Sequence, residues 1–93
     1  MQSRPGQQMS REQKLQWYAT QLMEDAATAE KSGNQETAIK AYLNASDILL
    51  LLSKKETNYV AWKSLADRAE HCHKKARMLI AQRPDQSGQS GLV

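Results

Sequence analysis

The chain has no phenylalanine, and only two tryptophans and three tyrosines among its 93 residues. A core with so few large rings must be filled by aliphatic and small side chains. Alanine is abundant, and small core residues let helices approach near the low end of the ~8–10 Å interaxial range. A single cysteine, Cys72, excludes an internal disulfide framework and fits a reducing compartment. No apolar run reaches the ~18–20 residues that a membrane span needs, and no signal-peptide pattern opens the chain. The expected setting is therefore cytoplasmic. There is no Gly-rich phosphate loop, no nucleophile motif and no paired acid near a histidine in a plausible cleft, so neither catalysis nor a cofactor is expected. Strand-like alternation is absent throughout.

What remains divides into a middle and two ends. "MQSRPGQQ" (residues 1–8) and the stretch from Pro84 to Val93 are rich in Gln, Ser, Gly and Pro. Such segments bury too little apolar surface to offset their ordering entropy, and both are expected to be flexible tails. Residues 9–83 then form one small domain with a thin core and room for little beyond one interaction surface. The net charge of +3 is unevenly placed. Residues 57–83 carry Lys63, Arg68, Lys74, Lys75, Arg77 and Arg83 against Asp67 and Glu70. A basic segment of this kind attracts acidic peptides, lipid headgroups or nucleic acid, or is simply a solvated helix face.

Three helices follow from periodicity and capping. Ser10-Arg11-Glu12-Gln13 fits a capping box. Leu15, Tyr18, Ala19, Leu22, Ala26 and Ala29 then recur at steps of three and four, and Gly33 can take the left-handed conformation that closes a helix. Asn34 is a good N-cap for a second helix. That helix carries two apolar stripes: Ala38, Tyr42, Ala45, Leu49 and Leu52 on one, and Ile39, Leu43 and Leu50 on the other, with Ser46 between. A helix with two apolar stripes has two neighbours. Thr57 or Asn58 can cap a third helix, whose stripe comprises Trp62, Leu65, Ala66, Ala69, Cys72, His73, Ala76, Leu79 and Ile80. Lys75 falls outside that stripe and reads as solvent-facing. Pro84 ends the helix. The expected fold is all-α, an antiparallel three-helix bundle with short connections.

The string G-N-x-x-x-A-I-x-x-Y-x-x-A at Gly33–Ala45 resembles two families, the tetratricopeptide repeat and the microtubule-interacting and trafficking (MIT) domain. The third segment, "LADRAEHCHKKARMLI", is similar to the MIT signature, with Asp67-Arg68-Ala69-Glu70 standing where that family has its Asp-Arg-Ala-Glu. Tetratricopeptide repeats run about 34 residues with shorter helices, and no second repeat follows here. The MIT resemblance spans roughly Ser10 to Gln82. It implies a non-enzymatic, monomeric binding module that recruits a larger parent protein in membrane trafficking, at endosomes or the midbody. It also implies that the partners are C-terminal tails of ESCRT-III-type subunits, docked as a helix between the second and third helices or extended between the first and third.

On that reading the groove residues are Ile39, Leu43 and Leu50 from the second helix, and Trp62, Ala66, Glu70, His73 and Arg77 from one shoulder of the third. The resemblance gives Glu70 the task of meeting basic side chains of the guest; the bland reading pairs it with Lys74 or Arg77 along its own helix. Ala66 stands where the family often has a larger apolar residue, which makes the pocket shallower. Trp17 points away from its helix's apolar stripe and is the candidate for a groove between helices one and three. His71-Cys72-His73 is a poor metal site, because residues two apart on a helix point about 200° apart. The alternative function is electrostatic, contact with microtubules, acidic lipid or nucleic acid through the basic third helix, or that of a tetratricopeptide-like helical adaptor. Of the electrostatic partners nucleic acid is the least expected, since the basic face lacks a recognised module and interleaved aromatics.

Deleting residues 1–8 and 84–93 together should leave helical circular dichroism and melting temperature nearly unchanged. A large fall in either would mean that a tail packs on the bundle.

Overall fold

A computed structural model describes residues 10–83 of the protein. It contains three helices: α1 (Arg11–Lys31), α2 (Gln35–Lys55) and α3 (Tyr59–Ala81). The two tails, Met9 and Pro84 lie outside the described residues. The ends of each helix are set by the side chains that satisfy its orphan backbone groups. Ser10 and Gln13 form the reciprocal capping box that opens α1: the Gln13 amide donates to Ser10 Oγ at 3.1 Å, and the Ser10 amide to Gln13 Oε1 at 2.9 Å.

The turn from α1 to α2 uses three residues. Gly33 adopts φ +84°, the left-handed region where a side chain is strained. Its amide donates to the Glu30 carbonyl at 3.1 Å, and the Asn34 amide donates to the Ala29 carbonyl at 2.8 Å. That pair of bonds is a Schellman closure. Asn34 also opens the next helix, because its Oδ1 accepts from the Thr37 amide at 3.3 Å. One residue thus ends α1 and begins α2, and the chain reverses within a single turn. At the other end Asn58 Oδ1 caps α3 by accepting from the Ala61 amide at 2.9 Å, while Glu56 Oε2 accepts from the Asn58 amide at 3.0 Å.

α2 is the central element. It packs closely along both neighbours, whereas α1 and α3 meet mainly through side chains. The helices run up, down and up. Tyr42 of α2 reaches Glu30 near the end of α1, and Arg83 just beyond α3 reaches Glu36 in the first turn of α2 at 3.1 Å. The core is small-residue packing around a few leucines: Ala19, Ala26, Ala29, Ala38, Ala41, Ala45, Ala69 and Ala76 are buried beside Leu49, Leu52, Leu65 and Leu79.

Several expectations about faces need correction, and on α3 Trp62 and His73, read as part of the apolar stripe, are exposed. Tyr18 is half exposed, not part of the buried stripe of α1, and Met23 packs against the core instead. At 3.6 residues per turn, position 18 sits at the margin of the line through Ala19, Ala26 and Ala29. On α2 the buried surface is broader than two stripes, taking in Ala41, Ser46 and Ser53, with Ile48 partly covered. Ser53 settles its hydroxyl by donating to the Leu50 carbonyl at 2.8 Å.

Ala69 is 1% exposed at the α2–α3 interface. Replacing it with leucine should cost ~1–3 kcal/mol through overpacking. Lys40→Ala, on the exposed face of α2, should stay within about 0.5 kcal/mol of wild type. Denaturation midpoints for the two variants check this; equal midpoints would refute the packing.

Candidate functional site

The close contact of α2 with α3 leaves an open trough along one side of their seam, of about 320 Å³. Its floor is made of short side chains, Ser46 from α2 and Ala66 and Ala69 from α3. Leu50 forms the α2 wall and is 45% exposed. Glu70, His73, Lys74 and Arg77 form the α3 wall. The seam is hollow because small residues face each other across it, and a helix cannot fill a gap with side chains it lacks.

Of the groove residues read from the sequence, Leu50, Ala66, Glu70, His73 and Arg77 line this one trough. The other three do not. Ile39 is 4% exposed and belongs to the core, and Leu43 is partly buried against that core. Trp62 lies one turn before Ala66, is 41% exposed, and sits against Tyr59 with ring centroids 5.8 Å apart. The three additional lining residues, Ser46, Ala69 and Lys74, carry signals that point elsewhere: two small residues read as core, and a lysine reads as solvent-facing.

The charges of α3 are mostly compensated within the bundle. Lys63 pairs with Asp67 at 3.2 Å, Lys74 with Glu70 at 3.7 Å, Lys75 with Glu30 at 2.9 Å and Arg83 with Glu36 at 3.1 Å. The Arg68 guanidinium donates to Thr20 Oγ1 at 3.1 Å. Glu70 is therefore in the intrahelical pair that its spacing allows, an interaction worth a few tenths of a kcal/mol at an exposed site. Arg77 has neither an ion pair nor a side-chain hydrogen bond among the described residues.

The crevice between α1 and α3 is built differently, because polar bridges span it. Lys75 does not point to water. Its ammonium donates to Glu30 Oε2 at 2.9 Å, both side chains being only 27% exposed, and lies 5.9 Å from the Tyr42 ring centroid. The Tyr42 hydroxyl donates to the other carboxylate oxygen, Oε1, at 2.9 Å. A lysine at the edge of the buried face lays its apolar stem along the core and turns its charge to a partner, so its charge alone does not mark it as solvent-facing. With the Arg68–Thr20 bond, this clasp joins all three helices. Trp17 stands on the outer side of α1, 59% exposed, on a polar shelf with Gln13, Gln16 and Thr20.

The remaining candidates for chemistry do not converge. Cys72 is fully buried, and burial pushes its thiol up from the ordinary value, against a smaller opposing effect of the Arg68 charge. A thiol held protonated in this way is a core residue and not a nucleophile. His71 and His73 are both exposed, on opposite sides of the buried Cys72. Compared with family models, curated proteins and solved structures, the chain matches none.

The clasp makes stability depend on pH at both extremes. The hydrogen bond from Lys75 holds the Glu30 carboxyl below its ordinary value of 4.5, helped by the Tyr42 hydroxyl and the Lys75 charge and opposed by burial. A lowered folded value stabilises above the ordinary one, and that gain is lost as pH falls through the lowered value. Burial, with the bond to Glu30 second, pushes Tyr42 up from 10.0 to about 12. Its contribution is complete below 10.0 and is lost as pH rises towards about 12. Melting curves of the wild type should fall more steeply than those of Glu30→Gln below pH 4.5. They should also fall more steeply than those of Tyr42→Phe between pH 10.0 and about 12. Lys75→Glu, which sets two carboxylates together, should cost ~1–3 kcal/mol at neutral pH. Parallel curves for all four proteins would dissolve the clasp.

Proposed function

We propose that this bundle is a non-catalytic recognition module that accepts an amphipathic helix of a partner protein in the trough between α2 and α3. The observation that carries this reading is the trough itself: a small-residue floor, an exposed leucine on one wall and charged side chains on the other. A guest helix can set its leucines over Ser46, Ala66 and Ala69 while its polar flank meets the rim, which is the helix-in-groove mode of recognition. The floor is shallow and the contact area modest, so the affinity should be modest too.

The likeness of Gly33–Ala45 and Asp67–Glu70 to the MIT signature makes C-terminal tails of ESCRT-III-type subunits the first partners to examine. Recruitment of a larger parent protein in membrane trafficking, at endosomes, is the role that goes with them. The competing electrostatic reading, through the basic face of α3 towards microtubules or acidic membranes, is weakened by the pairing of Lys63, Lys74, Lys75 and Arg83 within the bundle.

A titration with a leucine-bearing helical tail peptide tests the proposal. Leu50→Asp should weaken binding about tenfold or more, since it sets a charge on the apolar wall, and Trp17→Ala should leave binding unchanged. Circular dichroism verifies that each variant is folded. Binding that persists in Leu50→Asp but disappears in Trp17→Ala would move the site to α1 and α3. Moderate salt should reduce groove docking only slightly, whereas a steep loss would favour the electrostatic reading.

A further inference from the structure

We infer that the helix accepted by the trough carries acidic residues on the flank that faces α3, and this rests on the trough being the binding site. The charged residues lining the trough are Glu70, Lys74 and Arg77, for a net of one negative against two positive charges. Glu70 and Lys74 are already paired, at 3.7 Å. Among the described residues, the charge left without a partner is that of Arg77. His73 lies one turn before it on the same wall and offers ring nitrogens that can hydrogen-bond a guest's polar flank. The α2 wall contributes Leu50 and the Ser46 hydroxyl to the lining, and no carboxylate.

A basic guest, the expectation attached to Glu70, would have to displace Lys74 and would face Arg77 directly. An acidic guest meets Arg77 while the Glu70–Lys74 pair stays in place. A guanidinium offers parallel donors to a carboxylate, the geometry of a strong charge-assisted pair. The positions along α3 also set the guest's pattern. His73 lies seven residues beyond Ala66 and Arg77 eleven, which is about 10 and 16 Å at 1.5 Å per residue. The guest's acidic residues therefore belong two to three turns from the leucine that covers Ala66. Its apolar end lies towards Leu50 and the exposed Trp62–Tyr59 pair, and its acidic end towards Arg77.

Three peptides of equal length and helicity test this on the full chain. They share one leucine stripe and differ only in carrying Glu, Gln or Lys at the flank positions. Fluorescence anisotropy should rank them Glu, then Gln, then Lys, with two- to fivefold steps of the size exposed ion pairs give. Arg77→Gln should compress the ranking and Arg77→Glu should invert it, with circular dichroism confirming that both are folded. A tighter Lys peptide, equal binding of all three, or a ranking untouched by Arg77→Glu would overturn the acidic-guest inference while the trough stands. Failure of every peptide to bind, or binding indifferent to Leu50→Asp, would overturn the trough along with it.

Discussion

The fold depends on α2 serving two neighbours at once. A helix in that position cannot carry bulky residues on all its inward sides and still lie close to both partners. Its inner surface is accordingly built on Ala38, Ala41, Ala45 and Ser46, with Tyr42, Leu49 and Leu52 as the larger anchors. α3 answers with Ala69, Cys72 and Ala76, and α1 with Ala19, Ala26 and Ala29. Close approach gains dispersion contacts without large side chains. The same choice leaves a hollow where small residues end a seam, and the trough over Ser46, Ala66 and Ala69 is that hollow. The trough is thus a by-product of the packing, with its walls supplied by the first larger residues on either side.

The second organising feature is polar. Glu30, Tyr42 and Lys75 come one from each helix, and each satisfies another. Such a cluster is directional where alanine packing is not, and fixes how far α3 is rotated relative to α1. That rotation decides which α3 residues look into the trough. Stability and the shape of the trough are therefore linked through α3: Lys75 on one edge pairs with Glu30, and His73 and Arg77 line the trough on the other edge.

Much of the architecture was legible in the sequence because helix ends are written locally. Ser10, Gly33, Asn34 and Asn58 each act through bonds within a few residues, so their chemistry needs no tertiary knowledge. The stripes were legible to about the width of one helical position. Tyr18 stands at the margin of its stripe, where burial is decided by what lies opposite, and it is half exposed. Lys75 was misread for a related reason: charge marks a surface residue only when no partner waits across the interface, and Glu30 is forty-five residues away in sequence. Helical spacing put Ala66, Glu70, His73 and Arg77 on one shoulder of α3, while the resemblance to the MIT family set Leu50 across from them, and the trough brings the five together. Ser46 and Ala69 were not recovered, since a small residue beneath a groove and one in a core look alike in sequence. Ile39 and Trp62 erred in opposite directions, one sinking into the core and the other standing clear of the trough.

The central claim is that a guest helix lies between α2 and α3. Chemical-shift mapping of the labelled chain against a leucine-bearing helical peptide tests it residue by residue. The predicted result is a continuous line of perturbed amides through Ser46, Leu50, Ala66, Glu70, His73 and Arg77, with Gln13, Trp17 and Thr20 unmoved. Perturbations concentrated on Trp17, Thr20 and the α1-facing side of α3, with Leu50 and Ala66 silent, would contradict it.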